Sequence, residues 1–208
     1  WLAQLAWAAP FPPPDSVGHH PTKAALQEAL SRADAGYRRS GDLAGQVEVE
    51  CLRLEPLIES FEPSCPARLR ALEEKASLLP AGPARARYYW VQALYAGKTG
   101  DESGRHSFAK RAVQEPDLPA VWKAEWLSQL PGWGDTLLQV AWLESQIRQL
   151  LKQDKSAPVR WHLLGAQARL AELRAQSDVT ESLLEARLQL ARQERWGREE
   201  MQAELALY

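Results

Sequence analysis

Several residue types and patterns that mark particular protein classes are scarce in this 208-residue chain or missing from it. Valine and isoleucine are few, and no stretch keeps up a strict alternation of apolar and polar residues, so we expect little or no β-sheet. The two cysteines do not form a Cys-x-x-Cys pair, which leaves a zinc site or a thioredoxin-like motif without support. Glycine-rich phosphate loops and the Gly-x-Ser-x-Gly motif of hydrolases are also missing. The sequence therefore indicates architecture better than it indicates chemistry.

An excess of one charge is absent as well. The chain has 25 basic and 27 acidic residues, a formal net charge of −2 and a pI near 6.2. A nucleic-acid-binding protein usually shows a basic face or a high pI, so we expect no nucleic-acid partner. Charged residues make up 25% and hydrophobic residues 45% of the chain, which is the ordinary balance of a globular protein with a sizeable core.

No apolar run reaches the about 20 residues that a transmembrane helix needs. The run Trp1–Ala9 stops at Pro10, and Ala6-Trp7-Ala8 has the A-x-A form that signal peptidase accepts. We therefore interpret residues 1–8 as a remnant of a signal peptide and expect export to the periplasm or cell envelope. The alternative is a short segment that docks on the rest of the protein.

Residues 9–21 form a proline-rich lead-in, which we expect to be extended because proline fixes φ and lacks a backbone donor. His19 and His20 lie in this segment, far in sequence from His106 and His162. Metal sites need three or four ligands on a rigid frame, so we interpret these histidines as solvated. We expect no metal, no cofactor and no catalytic residue.

Cys51 and Cys65 are the only cysteines, and the turn expected between them leaves two alternatives open. If the protein is exported, a disulfide is plausible because oxidising compartments allow it. It would close a loop of about 15 residues and contribute on the order of 3 kcal/mol. The alternative is a pair of buried free thiols.

Composition and turn chemistry predict a succession of about nine helices between residues 22 and 208. Alanine, leucine, glutamine, glutamate and arginine dominate, and these residues favour helix. Apolar residues recur at helical spacing along one face of the first helix, as in Leu26, Leu30, Ala33 and Tyr37. Further stripes are expected in the seventh and ninth helices, at Val140, Leu143, Ile147, Leu150 and Leu151, and at Leu183, Leu184, Leu188 and Ala191.

Three Gly-Asp junctions separate helices in this reading: Gly41-Asp42, Gly100-Asp101 and Gly134-Asp135. Glycine suits a helix C-terminus and aspartate caps the next N-terminus. Ser177-Asp178 is a variant, with a capping-box pattern at Asp178 and Glu181. Gly100 and Gly134 are 34 residues apart, and a fixed period in this range indicates stacked helical hairpins.

Part of the chain resembles the tetratricopeptide repeat (TPR). Trp161, Leu164 and Gly165 fit the opening of that motif, although Ala168 stands where the family usually has tyrosine. Further matches are spread over two earlier hairpins, at Ala44, Pro56, Tyr88, Val91, Tyr95, Phe108 and Pro116. The resemblance implies an all-α fold of antiparallel helical hairpins stacked as a short TPR-like α-solenoid over residues 22–208. It also implies a role in protein–protein interaction.

The nine tryptophans offer candidates for partner contact, because interfaces are enriched in Trp, Tyr and Arg. Trp122 and Trp126 lie one turn apart on one helix face, and Trp133 lies in a Pro-Gly-Trp-Gly loop. Tyr88, Tyr89 and Trp90 could extend this patch. The alternative is that these rings pack between helices.

These observations lead us to expect a non-catalytic scaffold or adaptor, exported and part of a cell-envelope or secreted multi-subunit assembly. One alternative is a cytosolic helical-repeat adaptor or regulatory domain. A third class, an envelope hydrolase domain, would need a buried acid in a cleft.

Overall fold

A computed structural model describes residues 23–131, 133 and 137–197. All regular secondary structure in these residues is α-helical, with no strand among them, which confirms the predicted all-α fold. None of the described helices is both long enough and apolar enough to span a bilayer. The nine helices of this part of the chain are α1 (Lys23–Ser40), α2 (Leu43–Glu59), α3 (Cys65–Ala76), α4 (Pro83–Thr99), α5 (Glu102–Gln114), α6 (Ala120–Gln129), α7 (Leu137–Gln153), α8 (Ala157–Leu173) and α9 (Ser177–Gln193).

The Gly-Asp junctions form helix boundaries as the sequence predicts. Gly41 and Gly100 adopt positive φ values of 70° and 80°, a conformation that glycine reaches at little cost. Asp42 and Asp101 then accept a hydrogen bond from the backbone N–H three residues later, at 2.9 Å in each case. One junction thus ends a helix and starts the next. The third pair, Gly134-Asp135, lies outside the described residues.

One predicted helix start is wrong in detail. Helix α9 begins at Ser177 and its N-cap is Gln176, which makes no side-chain cap bond. Asp178 consequently lies in the first turn, where its charge suits the helix dipole, and the capping box expected with Glu181 is not formed.

The described helices fall into two compact units that divide the chain after Leu118. Unit 1 contains α1–α5 and unit 2 contains α6–α9. A single repeat domain over residues 22–208 stays a prediction. The segments 1–8 and 9–21, with the Ala6-Trp7-Ala8 motif and His19-His20, lie outside the described residues.

In unit 1, α4 contacts both helices of the preceding pair, α2 and α3, and then forms a hairpin with α5. One apolar cluster joins α2, α3 and α4, with members such as Leu54, Leu72 and Val91 that are at most 2% exposed. Helix α1 packs on α2 through the predicted stripe. Leu30 of this stripe lies in one apolar cluster with Val49 of α2.

Unit 2 repeats this arrangement. Helix α8 contacts both α6 and α7 and then forms a hairpin with α9. Leu143, Ile147 and Leu150 of the predicted α7 stripe are buried, and so are Leu188 and Ala191 of the α9 stripe. In both units, therefore, the third helix of a series covers the apolar faces of the two before it.

The spacing of equivalent helices differs from the 34 residues between Gly100 and Gly134. Helices α4, α6 and α8 begin at Pro83, Ala120 and Ala157, so successive starts are 37 residues apart. This recurrence supports a repeating arrangement of hairpins. The resemblance to the tetratricopeptide repeat stays a prediction.

Of the two alternatives for the cysteines, the structure has the second, because Cys51 and Cys65 are both free thiols and both buried. Cys65 lines the same small cavity as Ile58, near the C-terminal end of α2. Cys51 lies two helical turns before Ile58, about 10 Å away along the helix axis at 1.5 Å per residue. A disulfide needs Cα atoms roughly 4.4–6.8 Å apart, so the register of α2 separates the two sulfurs.

Five helices end in the same way. In α1, α2, α4, α8 and α9 a backbone N–H returns to a carbonyl five residues earlier, as Gln176 does to Ala171 at 3.0 Å. This Schellman geometry needs a positive φ at the residue before. Glycine supplies it twice, but Phe61, Ala175 and Arg195 adopt φ values of 57°, 54° and 58°. Each of these side chains strains the backbone.

Replacing Ala175 with glycine should therefore stabilise unit 2. The left-handed conformation costs a non-glycine residue roughly 1–2 kcal/mol, while glycine loses about 0.5–1 kcal/mol more conformational entropy on folding. We expect a net gain of about 0.5–1 kcal/mol in the free energy of unfolding, measured by urea titration. Ala141→Gly, in the exposed middle of α7, is the control and should lose about 1 kcal/mol. Equal effects at both positions would contradict this account.

Candidate functional site

The aromatic residues considered for partner binding divide by burial. Tyr88, Trp90 and Trp126 are 6%, 3% and 3% exposed. Tyr88 belongs to the apolar cluster of unit 1, where its hydroxyl accepts a hydrogen bond from Gln92 at 2.7 Å. These three rings are buried in the core, which agrees with the alternative that the aromatic rings pack between helices; a role for them in partner binding stays a prediction.

Trp122, Trp133 and Tyr89 are partly exposed. The Trp122 ring lies against Trp126, with centroids 6.2 Å apart. Tyr89 belongs to unit 1, where the Arg111 guanidinium lies 3.9 Å from its ring centroid and donates to its hydroxyl at 2.5 Å. A contribution of these three rings to binding stays a prediction.

The largest of the cavities described here is in unit 2, with a volume of about 450 Å³. It lies along α8 and α9. On each helix, side chains one turn apart line the cavity. Its lining combines apolar and charged groups: Pro131, Gly165, Ala168, Arg169, Glu172, Leu173, Thr180, Leu184 and Arg187. We call it the Arg187 cavity.

The side chain of Arg187 crosses from α9 to α8. Its guanidinium carbon lies 3.5 Å from the ring centroid of Trp161, which is close cation–π contact. Trp161 is 6% exposed and belongs to an apolar cluster with Leu190 and Ala191. The ring is thus fixed by its packing, and its contact with the guanidinium fixes the position of Arg187.

Gly165 makes room for this arrangement. A Cβ at that position would lie 3.1 Å from the Arg187 guanidinium carbon and 3.2 Å from one of its nitrogens. The guanidinium therefore lies against both the Trp161 ring and the backbone of α8 at Gly165. The same glycine fits the repeat motif noted in the sequence. Here the absence of a side chain leaves space for the Arg187 guanidinium.

The electrostatics of the Arg187 cavity are unbalanced. Burial lowers the pKa of Arg187 to about 10, and the neighbouring charge of Arg169 lowers it further. The described residues place no carboxylate within ion-pair distance of Arg187, and among them its buried Nε has no hydrogen-bond partner. At neutral pH Arg187 is still a cation, held partly out of water without a counter-charge from these residues.

His162 lies beside this stack, with its ring edge-on to Trp161 at a centroid distance of 5.3 Å. Burial lowers its pKa to about 4, and the positive charge of Arg187 adds to the effect. Its Nε2 atom is buried and makes no hydrogen bond to the described residues. His162 is therefore neutral at pH 7, and a proton on it would be costly.

Two smaller cavities have a different character. One, of about 230 Å³ in unit 2, contains Glu144 and Arg174, which pair with each other at 2.5 Å. The other, of about 210 Å³ in unit 1, is mostly apolar and includes Phe61 and Cys65. No group of three metal-ligating side chains occurs in the part of the chain that the structure describes.

Sequence reasoning did not identify Arg187. An arginine within a helix is normally solvated, and the Leu-Glu-Ala-Arg-Leu-Gln-Leu stretch around it reads as an ordinary amphipathic helix. The available signal was Gly165, since an isolated glycine within a helical pattern often marks a close approach. The partner in that approach becomes visible only when α8 and α9 are placed side by side.

Comparisons of the chain with protein families, curated proteins and solved structures gave no match in any of the three.

The contact between Gly165 and Arg187 predicts a sign reversal in a double-mutant cycle. Gly165→Ala should destabilise the protein by about 1 kcal/mol, because Trp161 prevents the guanidinium from moving away. In an Arg187→Ala background the same change should stabilise by up to about 1 kcal/mol, the usual helical gain of alanine over glycine. Urea unfolding of the four proteins measures this coupling. Additive effects would show that the two positions do not interact.

The low pKa of His162 predicts a loss of stability in mild acid. Between its unfolded value near 6.5 and its folded value of about 4, the unfolded state binds the proton and the folded state does not, so stability falls as the pH falls. From pH 7.5 to pH 5 this group should remove about 2 kcal/mol. His162→Gln should flatten the change in unfolding free energy over that range. An unchanged slope in the variant would refute the assignment.

Proposed function

We propose that this chain is a non-catalytic helical-repeat protein that binds a protein partner, and that the Arg187 cavity of unit 2 is a contact site for that partner. The observation that carries the proposal is Arg187 itself. It is a cation that packs against an aromatic ring and a glycine, and its buried Nε has no hydrogen-bond partner among the described residues.

The cost of this arrangement supports a binding role. Removing a charge from water is unfavourable unless a counter-charge or hydrogen bonds replace the water. Arg87 of unit 1 shows the usual solution, since its Nη1 pairs with Glu55 at 3.0 Å. Arg187 has no such pair among the described residues. An acidic group from another molecule would complete it.

The walls of the cavity also suit a protein ligand. Its volume of about 450 Å³ lies within the roughly 300–1,000 Å³ of small-molecule sites, so it has room for side chains of a protein ligand. Leu173 is 56% exposed on its rim, and Arg and Trp are the residue types most enriched at the energetic centres of interfaces. Stacked hairpins provide such surfaces on a rigid frame.

We further propose export and membership of a cell-envelope or secreted assembly, on the strength of Ala6-Trp7-Ala8. The alternative is a cytosolic adaptor of the same TPR-like kind. The mass of the natural protein separates them, since an exported chain should begin near Ala9. The free thiols of Cys51 and Cys65 no longer add support to export.

The hydrolase alternative has a weaker basis. A hydrolase domain would need a buried acid in a cleft. The acids in the described linings of the three cavities are Glu144, Glu172 and Glu62, and none of these three side chains is buried. We therefore favour binding over catalysis.

Partner binding through the Arg187 cavity predicts a selective loss on changing its rim. Leu173→Glu should reduce recovery of the natural partner at least tenfold in affinity purification with quantitative mass spectrometry, because it places a charge in the apolar part of the site. Val179→Glu is the matched control: Val179 is 48% exposed in the same unit but lines the 230 Å³ cavity. Equal recovery with both variants, each with the melting temperature of the wild type, would exclude the Arg187 cavity.

A further inference from the structure

We infer that the Arg187 cavity recognises the carboxylate of a glutamate or aspartate side chain, with an apolar side chain next to it, within a segment of the partner. This inference rests on the proposed function and specifies the chemistry of its ligand. It follows from the geometry of the guanidinium and from the groups that surround it.

Arg187 is prepared for a planar anion. Its guanidinium already packs against Trp161 and Gly165, so binding would cost little further side-chain entropy. Arginine offers a fork of N–H donors that matches a carboxylate in a bidentate manner. Burial strengthens such bonds, because water competes less for the donors.

The balance of charge around the cavity favours a single negative charge. Arg187 and the exposed Arg169 are the basic groups of the described lining, and Glu172 is its acid. The net charge of these groups is thus about one positive unit. A phosphate group with nearly two negative charges would be repelled by Glu172 and would leave part of its charge uncompensated. A carboxylate matches the site.

The remaining lining explains the apolar neighbour. Pro131, Ala168, Leu173 and Leu184 form the uncharged part of the wall. A leucine one or two positions from the acidic residue could cover this surface, as an apolar anchor beside a polar contact does in other interfaces. Thr180 is not available as a strong donor, since its hydroxyl donates to the carbonyl of Gln176 at 3.1 Å.

The test uses the full-length chain and synthetic peptides. The probe is acetyl-Ala-Leu-Glu-Leu-Ala-amide, in which the only charge is the glutamate side chain, and its matched partner has glutamine in that place. Binding is followed through the ¹H–¹⁵N resonance of the Arg187 Nε group, identified by its loss in Arg187→Gln. The glutamate peptide should shift this resonance in a saturable way. The glutamine peptide should bind at least roughly tenfold more weakly, since charge-assisted bonds are lost.

Two variants make the result specific. Arg187→Gln should weaken binding of the glutamate peptide to the level of the glutamine peptide. Arg148→Gln, a change at an exposed arginine on the other cavity of unit 2, should leave binding unchanged. The thermal unfolding of both variants is measured to confirm that they fold.

Several results would overturn the inference. These are equal titration by the glutamate and glutamine peptides, no titration by either, or a response only to inorganic phosphate. A response only to a peptide that carries a free C-terminal carboxylate would overturn it as well. If Arg187→Gln keeps the natural partner while Leu173→Glu loses it, the carboxylate inference fails and the proposed function stands.

Discussion

Both units depend on the covering of a helix pair by a third helix. A pair of packed helices exposes an apolar face that it cannot bury alone. In unit 1, α4 supplies the cover, and Val91 is completely buried where it joins the residues of α2 and α3. In unit 2, α8 does the same for α6 and α7, and Val159 and Leu163 have no exposed surface. The covering helices α4 and α8 begin at Pro83 and Ala157, so their starts are 74 residues apart.

The same packing explains why two arginines are held in different ways. Arg87 is on α4 and is 8% exposed; it ends against Glu55 of α2. Burial raises the pKa of Glu55 even though Arg87 opposes the effect, so the pair is costly to bury and each charge needs the other. Arg187 meets an aromatic ring and a glycine instead, and its charge stays available. Arg87 links two helices, while we propose that Arg187 contacts a partner.

The sequence allowed much of the fold to be predicted, because turn chemistry is local. Asp42 and Asp101 each follow a glycine in the left-handed conformation and act as N-caps of the next helix. The local sequence is enough to predict this, without any knowledge of tertiary contacts. The apolar stripe of α1 could also be predicted, because its residues recur at helical spacing. Helix ends without glycine were harder to predict, because Ala175 and Arg195 adopt a positive φ that residues with a side chain rarely adopt.

The site could be predicted much less well, because it depends on distance between helices. Tyr88 and Trp90 are aromatic like Tyr89, but neighbouring positions on a helix point in different directions, and two of the three are buried. The choice between a disulfide and free thiols stayed open for a related reason: a separation of 14 residues says little about distance when one cysteine lies in the middle of a helix. The position of Arg187 could not be predicted because it depends on Trp161 and Gly165, which are more than 20 residues away in sequence.

The buried thiols have a practical consequence. Both cysteines of the chain belong to unit 1, and burial raises the pKa of Cys51 well above its ordinary value. A thiol reagent therefore reaches Cys51, which has no exposed surface, only when that part of unit 1 opens. Cys65 lies at the wall of a cavity, so we expect that a smaller local opening of the structure exposes it to the reagent. The rate at which each sulfur reacts thus measures local unfolding of unit 1, with unit 2 contributing no thiol to the signal.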